Sequence, residues 1–191
     1  MSVIVFEGTH GAGKSTTIEK LNEKYNLECR KSIPDWFRKY LQFARGLEPV
    51  SQKKVYMIGH EANYLSLDEN KDYVLDRFFY TTIIRLNYDL HKSIEETVRE
   101  ILNINLEPAA VIYLKAEKEI ILKRLKARDN YPFDEDFFEY EYKIFMQLNK
   151  TYDKIIIIDN SSNIDDTIKQ IDKELEVKHL TLVRRENERG V

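Results

Sequence analysis

The sequence predicts an α/β fold, a five-stranded parallel sheet with helices on both faces. Four short apolar runs alternate with longer stretches in which apolar residues recur at helical spacing. Runs that are apolar throughout indicate strands buried on both faces, as in a parallel sheet. At 191 residues the chain suits one domain, which we place at residues 1–175, before a charged tail over 176–191. The predicted strands, including a more polar second one, lie at 3–6, 27–30, 73–75, 109–114 and 154–158.

Composition and charge limit the class of protein. Hydrophobic residues make up 42% and charged residues 33% of the chain, as in globular proteins. The net charge of −3, with both signs mixed, argues against a general nucleic-acid or membrane surface, which needs a basic excess. No apolar run approaches the length of a membrane span. Because Cys29 is the only cysteine, we expect a cytoplasmic protein without an internal disulfide, and a buried thiol.

A phosphate-binding loop joins the first strand to the first helix. Gly8, Gly13, Lys14 and Ser15 occupy every fixed position of the pattern G-x-x-x-x-G-K-[ST]. Glycines let backbone N–H groups wrap a phosphate at a helix N-terminus, while the lysine bridges the β- and γ-phosphates and the serine hydroxyl binds Mg²⁺. Because the flanking strand and helix agree, the alternative, a glycine-rich turn that binds nothing, is disfavoured. We expect ATP to contact Gly8, Thr9, His10, Gly11, Ala12, Gly13, Lys14, Ser15 and Thr16.

The segment after the second strand predicts two helices. Pro34 fits the first turn of the earlier helix, and Gly46 lies where its pattern breaks. Ser51 is expected to cap the later helix. The aromatic side chains between Trp36 and Tyr64 either line a pocket for a flat base or belong to an ordinary core.

Asp76 and Arg77 follow the third strand directly. A carboxylate at the end of a buried strand is placed to complete a Mg²⁺ site or to act on a nucleophile. An arginine beside it can hold phosphate oxygens through two hydrogen bonds. The alternative is a structural ion pair. Farther along the chain, Ser93 and Glu96 predict a capping box at the start of a helix.

A basic helix end predicts a lid. The residues from Lys123 to Arg128 form the densest basic cluster, and a helix-breaking segment follows them. In a lid over about residues 124–135, Arg124 and Arg128 would reach the charge that develops on a transferring phosphoryl group. The alternative is a solvated basic face. Two more helices are predicted, over 136–148 and from about 163 to 175.

With these motifs in place, the chain resembles the thymidylate kinases, within the P-loop nucleoside and nucleotide kinases. Four places match in order, and together they span about residues 2–175. The first two are the phosphate loop with its leading Phe6-Glu7-Gly8, and Asp76-Arg77-Phe78 with Thr81 three residues later. The others are the lid arginines with Asp136-Phe137-Phe138 after them, and Ile158-Asp159 with the polar loop and amphipathic helix that follow.

The resemblance implies a five-stranded parallel sheet flanked by helices, and transfer of the γ-phosphoryl group of ATP to a deoxynucleotide. It also implies Mg²⁺ near Ser15 and Asp76, with Arg77 near the acceptor and with Arg124 and Arg128 in the lid. Because many members of the family are dimers, a homodimer is a further expectation.

The departures from the family all fall on the acceptor side. His10 stands where the family has an aspartate that touches the acceptor sugar, and Arg30 lies in a segment that differs from the family's Arg-Glu-Pro-Gly. Met57 and Glu61 replace an aromatic residue and a base-reading arginine, and Arg85-Leu86 replaces Tyr-Gln. A change from arginine to Glu61 turns a donor into an acceptor, which favours an amino-bearing base such as cytosine or adenine. The predicted acceptor site comprises Glu7, Arg30, Arg38, Met57, Glu61, Arg77 and Thr81.

These features predict a nucleotide kinase that converts dTMP and ATP, or a monophosphate with a related base, to the diphosphate and ADP. We assign the chemistry to Lys14, Asp76, Arg77, Arg124 and Arg128. Two alternatives stay open. A deoxynucleoside kinase would use a carboxylate, Glu7 or Asp76, to take the proton of a free hydroxyl, and a divergent member would bind nucleotides without turnover. A nucleic-acid end kinase is disfavoured by the net charge of −3.

Overall fold

The computed structural model describes residues 1–128, 132–180 and 182, and it confirms the predicted sheet. Five parallel strands lie in the order β2-β3-β1-β4-β5. Each lies within one residue of its predicted bounds, and for the four apolar strands burial leaves little freedom in where the strand begins and ends. The strands are β1 Val3–Glu7, β2 Glu28–Lys31, β3 Tyr73–Asp76, β4 Ala110–Lys115 and β5 Ile155–Asp159.

Strand β1 lies at the centre of the sheet, between β3 and β4. Phe6 is in register with Asp76 of β3, and Glu7 is in register with Tyr113 of β4. Parallel strands present their carboxyl ends at one edge, where α/β proteins bind their ligands. The phosphate loop and Asp76 therefore meet at the same edge of the sheet.

The helices pack on the two faces of this sheet. Helices α1 and α8 cover one face, where Leu21 and Ile171 are fully buried. Helices α4 and α7 cover the other, where Phe79 and Phe145 lie in the larger apolar cluster. Across the described ranges, no helix is both long and apolar enough to cross a membrane. The helices are α1 Lys14–Lys24, α2 Arg38–Ala44 after a 3₁₀ turn, α3 Pro49–Leu65, α4 Phe79–Asp89, α5 Ile94–Leu102, α6 Lys118–Arg128, α7 Glu135–Thr151 and α8 Ile164–Val177.

The capping predictions have different outcomes. At α5, the Ser93 hydroxyl accepts from the Glu96 amide at 3.2 Å, and the Glu96 carboxylate accepts from the Ser93 amide at 2.9 Å, so the capping box is confirmed. At α3 the predicted cap, Ser51, is wrong. The helix starts at Pro49, and the Glu48 carboxylate accepts from the amides of the second and third helical residues. Proline at the first helical position needs no amide partner.

Two further expectations need correction. Cys29 is exposed rather than buried, because β2 is an edge strand whose residues are half-buried or exposed. The domain boundary at residue 175 falls inside α8, which continues to Val177. Beyond it, Leu182 is 7% exposed and packs on the cluster under α1 and α8. The rest of the predicted tail after residue 180 lies outside the described residues.

Candidate active site

The loop between β1 and α1 has the backbone that phosphate binding requires. Gly8, Gly11 and Gly13 have φ angles of +136°, +83° and +96°, which other residues rarely adopt. A Cβ atom on Gly8 would lie 2.4 Å from the carbonyl oxygen of Leu114, and one on Gly13 would lie 2.3 Å from Asn160 Nδ2. Strand β4 and the segment after β5 therefore leave room for glycine alone at these two positions.

Lys14 is held inside this loop. Its ammonium donates to the carbonyl oxygen of Gly8 at 2.7 Å and to that of Thr9 at 3.2 Å. Burial and, second, the nearby Arg77 lower the pKa of Lys14 to about 8, whereas the surrounding carboxylates raise it. An anionic ligand such as a phosphate would therefore stabilise the charged form of this lysine.

Asn160, which the sequence analysis did not single out, ties the loop to the segment after β5. Its side-chain amide donates to the carbonyl oxygen of Ala12 at 2.6 Å, and its Oδ1 accepts from the Thr167 hydroxyl at 2.8 Å. The Arg124 guanidinium donates to the Asn160 carbonyl oxygen at 2.9 Å and to that of Gly11 at 3.3 Å. Arg124, predicted for the lid, thus lies directly over the phosphate loop.

The other predicted lid arginine, Arg128, is the last residue of α6, and its side chain lies outside the described residues. The predicted lid over 124–135 is described only up to residue 128 and from residue 132 onward. Arg124 is therefore the part of the predicted lid that the structure brings to the loop, and the role of Arg128 stays a prediction.

Ser15 and Asp76 face each other across the loop. The Ser15 hydroxyl lies 3.5 Å from Asp76 Oδ2, and Asp76 Oδ1 is buried with no hydrogen-bond partner among the described residues. A hydroxyl and a carboxylate with an unused oxygen, beside a phosphate loop, form a donor set that suits a hard divalent cation. The residues predicted to hold Mg²⁺ are thus brought together.

Arg77 is positioned by a chain of buried polar groups. It adopts a φ of +72°, uncommon for a residue with a side chain, and its guanidinium donates to the Thr81 hydroxyl at 3.1 Å. That hydroxyl donates in turn to the Glu7 carboxylate, whose other oxygen accepts from the Phe78 amide at 2.8 Å. Burial raises the pKa of Glu7 to about 7, opposed first by Arg77. Both oxygens of Glu7 are thus used to position Thr81 and Arg77, and the predicted contact of Glu7 with the acceptor stays a prediction.

Three cavities adjoin these residues, and Arg77 lines all of them. The loop cavity, about 710 Å³, lies along the phosphate loop and reaches Asp76, Arg124 and Asn160. The α7 cavity, about 570 Å³, is lined by His10, Arg85, Phe137 and Glu141, among others. The α3 cavity, about 290 Å³, is lined among others by Gln52, Tyr56, Thr82 and Leu86.

Behind the α3 cavity lies the buried His60, another residue that the sequence analysis missed. Its Nδ1 lies 3.2 Å from the carbonyl oxygen of Ser32. Because a carbonyl only accepts, Nδ1 carries the proton, and Nε2 accepts from the Thr82 hydroxyl at 2.9 Å. Burial lowers the pKa of His60 to about 4, which keeps the ring neutral. Thr82, which lines the α3 cavity, therefore uses its hydroxyl proton on His60.

Five of the predicted acceptor residues line none of these cavities: Glu7, described above, and the four that follow. Glu61 is exposed, and Met57 packs against the larger apolar cluster. Arg30 pairs with Glu28 and Arg38 pairs with Asp35, both at the surface. On α3, the residues that line the α3 cavity are Gln52 and Tyr56, whereas His60 lies behind Thr82. The argument for an amino-bearing base from Glu61 therefore gains no support from this geometry.

Glu141 is the most unexpected member of the site. Its side chain is completely buried, yet it lines the α7 cavity. The Tyr113 hydroxyl lies 3.5 Å from Oε2, and Oε1 has no partner among the described residues. Burial raises the pKa of Glu141, and Arg77 and then Lys14 oppose the rise. The only signal in the sequence is its spacing of three and four residues from Phe138 and Phe145.

The comparisons with known proteins agree with this geometry. The family model for thymidylate kinase matches residues 6–171. A thymidylate kinase of Leptospira interrogans is 31% identical over 145 residues, which cover 65% of this chain and 69% of that protein. One from Caldicellulosiruptor saccharolyticus is 26% identical over 197 residues, covering 89% of this chain and 93% of that protein.

Solved structures share the fold. Thymidylate kinase from Candida albicans superimposes with a TM-score of 0.69 at 17% identity, covering 96% of each chain. Deoxyadenosine kinase from M. mycoides with bound dATP superimposes with a TM-score of 0.63 at 21% identity, covering 92% of this chain and 100% of the other. Because a thymidylate kinase and a deoxyadenosine kinase share this fold, the fold alone does not distinguish a monophosphate acceptor from a nucleoside acceptor.

Proposed function

Because this chain belongs to the thymidylate kinase family, and is therefore a nucleotide kinase, we propose that it transfers the γ-phosphoryl group of ATP to dTMP or to a (deoxy)nucleoside monophosphate with a related base. One observation carries the proposal. Arg77 lines the loop cavity, where ATP phosphates fit, and also both cavities on the acceptor side. A guanidinium at this junction matches an acceptor that brings a phosphate of its own.

On the donor side, the glycines and Lys14 bind the ATP phosphates, and Arg124 approaches them from above. Ser15 and Asp76 would hold Mg²⁺, which neutralises phosphate charge when it is bound. Arg124, with Arg128 as the second proposed lid residue, stabilises the negative charge that spreads over the transferring group and excludes water.

On the acceptor side, Arg77 holds the monophosphate in line with the γ-phosphate. We assign the base to the α3 cavity, which Tyr56 and Phe78 line, because aromatic rings stack on a flat base. No general base is required, because a phosphate acceptor is already an anion at neutral pH.

The state of Glu7 argues against the nucleoside kinase alternative. A free hydroxyl acceptor needs a carboxylate to take its proton. Both oxygens of Glu7 already accept hydrogen bonds, from the Phe78 amide and from the Thr81 hydroxyl, and Glu7 lines none of the three cavities. The remaining candidate, Asp76, lies against Ser15, where it is better placed for a cation.

A coupled ADP-release assay with Mg·ATP tests this proposal. The acceptors are the four deoxynucleoside monophosphates, dUMP and the matching nucleosides. Turnover is expected on a monophosphate, with a loss of about 100-fold or more in Lys14→Ala, since this variant lacks the cation in the phosphate loop. Lys20→Ala, at a half-exposed lysine of the same helix, is the matched control and should keep full activity. Turnover on nucleosides alone would refute the proposal, and so would ATP binding without turnover on any acceptor.

A further inference from the structure

Glu141 carries an oxygen that the protein itself does not use. Only two buried side-chain oxygens lack a hydrogen-bond partner among the described residues, Asp76 Oδ1 and Glu141 Oε1. A buried polar atom without a partner loses its hydration and gains nothing, so such atoms are few in native proteins. For Asp76 the proposed cation explains the free oxygen, whereas Glu141 lies on a different helix and has no such explanation.

The place of Glu141 on α7 makes a purely structural role costly. It lies on the apolar stripe that also carries Phe138, Ile144 and Phe145, all buried. An apolar residue of similar size would pack there without losing the hydration of a carboxylate. The nearby cations, Arg77 and Lys14, interact favourably with its charge, but neither forms a salt bridge or a hydrogen bond with it among the described contacts. Charge compensation alone therefore leaves Oε1 unexplained.

The cavity that Glu141 lines decides what the free oxygen can bind. The α7 cavity contains Arg77 and Arg85, which suit the acceptor phosphate, and it lies against the phosphate-loop residues Thr9 and His10. A phosphate would avoid the carboxylate, so the group facing Glu141 must be a hydrogen-bond donor. The aromatic residues proposed to contact the base, Tyr56 and Phe78, line the α3 cavity, which Glu141 does not line.

Between the phosphate and the base of a nucleotide lies the sugar, whose donors are hydroxyl groups. We propose that Glu141 Oε1 accepts a hydrogen bond from the 3′-hydroxyl of the acceptor sugar and so selects nucleotides that carry it. This inference rests on the proposed function. It assigns to α7 a contact with the acceptor that none of the sequence motifs indicated.

A cycle of two enzymes and two acceptors tests the contact. The kcat/KM values of wild type and Glu141→Leu are compared on a 2′-deoxynucleoside monophosphate and on its 2′,3′-dideoxy analogue. For wild type, kcat/KM should be at least about 10-fold lower on the dideoxy acceptor than on the deoxy acceptor, as expected for a lost hydrogen bond to a charged group. Glu141→Leu should treat the two acceptors alike. Glu139→Gln, at an exposed position on the same helix, should behave as wild type.

The outcomes separate the possible roles. The inference is overturned if Glu141→Leu loses the same factor in kcat/KM, relative to wild type, on both acceptors and so keeps the wild-type preference for the 3′-hydroxyl. It is also overturned if the change in preference follows the amino group of the base. A lower melting temperature of Glu141→Leu together with the same loss of kcat/KM on both acceptors would indicate a structural role, in which Glu141 only compensates the buried charges of Arg77 and Lys14.

The inference and the proposed function fail in different ways. If wild type turns over no monophosphate, the proposed function is wrong. Calorimetric binding of a nucleoside and its 3′-deoxy analogue to wild type and Glu141→Leu then tests the hydroxyl contact by itself. Weaker binding of the 3′-deoxy analogue to wild type alone supports the contact, and equal binding of both ligands refutes it.

Discussion

Replacement of His60 should change how the stability of this protein depends on pH. The imidazole is 1% exposed, and burial lowers its pKa to about 4 from 6.5. As the pH falls below 6.5, the unfolded chain takes up a proton that the folded protein refuses until about pH 4. The stabilisation due to neutral His60 is therefore complete above pH 6.5 and is lost between pH 6.5 and pH 4.

The size of this effect follows from the two pKa values. Each pH unit of difference corresponds to about 1.4 kcal/mol, so the full window is worth about 3 kcal/mol. Between pH 7 and pH 5, His60 lowers the free energy of unfolding by about 2 kcal/mol. That is a large share of the stability of an ordinary domain.

The titration of Glu7 changes the stability of the wild-type protein in the opposite direction. Its pKa is raised from 4.5 to about 7, so the folded state binds the proton first as the pH falls. Its contribution to stability is complete below pH 4.5 and is lost as the pH rises through 7. As the pH falls from 7 to 5, Glu7 raises the free energy of unfolding by about 2 kcal/mol, whereas His60 lowers it. Because the two contributions have opposite signs in this window, a variant is needed to separate them.

Urea unfolding at pH 5, 6 and 7 measures the difference. His60→Gln keeps a donor and an acceptor but does not titrate, so its stability relative to wild type should rise by about 2 kcal/mol from pH 7 to pH 5. His91→Asn, at an exposed histidine, is the control and should follow the wild-type profile. A difference between His60→Gln and wild type that is the same at pH 5 and pH 7 would refute the reasoning.

Two substitutions test the backbone of the site and of the fold. Gly8→Ala places a Cβ atom 2.4 Å from a backbone oxygen at a φ of +136°. The free energy of unfolding in urea should fall by about 2 kcal/mol or more, and ATP binding should be lost. Its control, Gly46→Ala, meets its nearest atom at 3.6 Å and should change little. Ser93→Ala removes one half of the capping box and should lower the free energy of unfolding by about 1 kcal/mol. An unchanged stability would mean that this cap contributes nothing.

The sheet and the donor side of the site were predictable because each rests on a local signal. Buried parallel strands require apolar runs, and a phosphate loop requires glycines with a lysine and a hydroxyl at set distances. Glu48 also had a local signal, since proline at the first helical position marks the residue before it as the cap. The predicted cap, Ser51, is instead the third residue of this helix.

The acceptor side was harder because it depends on helix rotation. Each residue turns an α-helix by about 100°, so an alignment that slips by one position moves a side chain to another face. Met57 and Glu61 were therefore predicted for the acceptor site, whereas the α3 residues that line the cavity are Gln52 and Tyr56. Glu141 was missed for a related reason, since its segment is rich in both acidic and aromatic residues and its burial emerges only from packing.

The end of β1 connects the two sides of the reaction. The carbonyl oxygen of Phe6 accepts from the Arg77 amide at 2.9 Å, the Glu7 carboxylate reaches Arg77 through Thr81, and the carbonyl oxygen of Gly8 accepts from the Lys14 ammonium at 2.7 Å. The last two residues of β1 and the first residue of the phosphate loop thus position Arg77, proposed for the acceptor side, and Lys14, proposed for the donor side. Since in-line transfer tolerates little misplacement, the proposed reaction benefits from an arginine and a lysine that are both anchored at the end of one central strand.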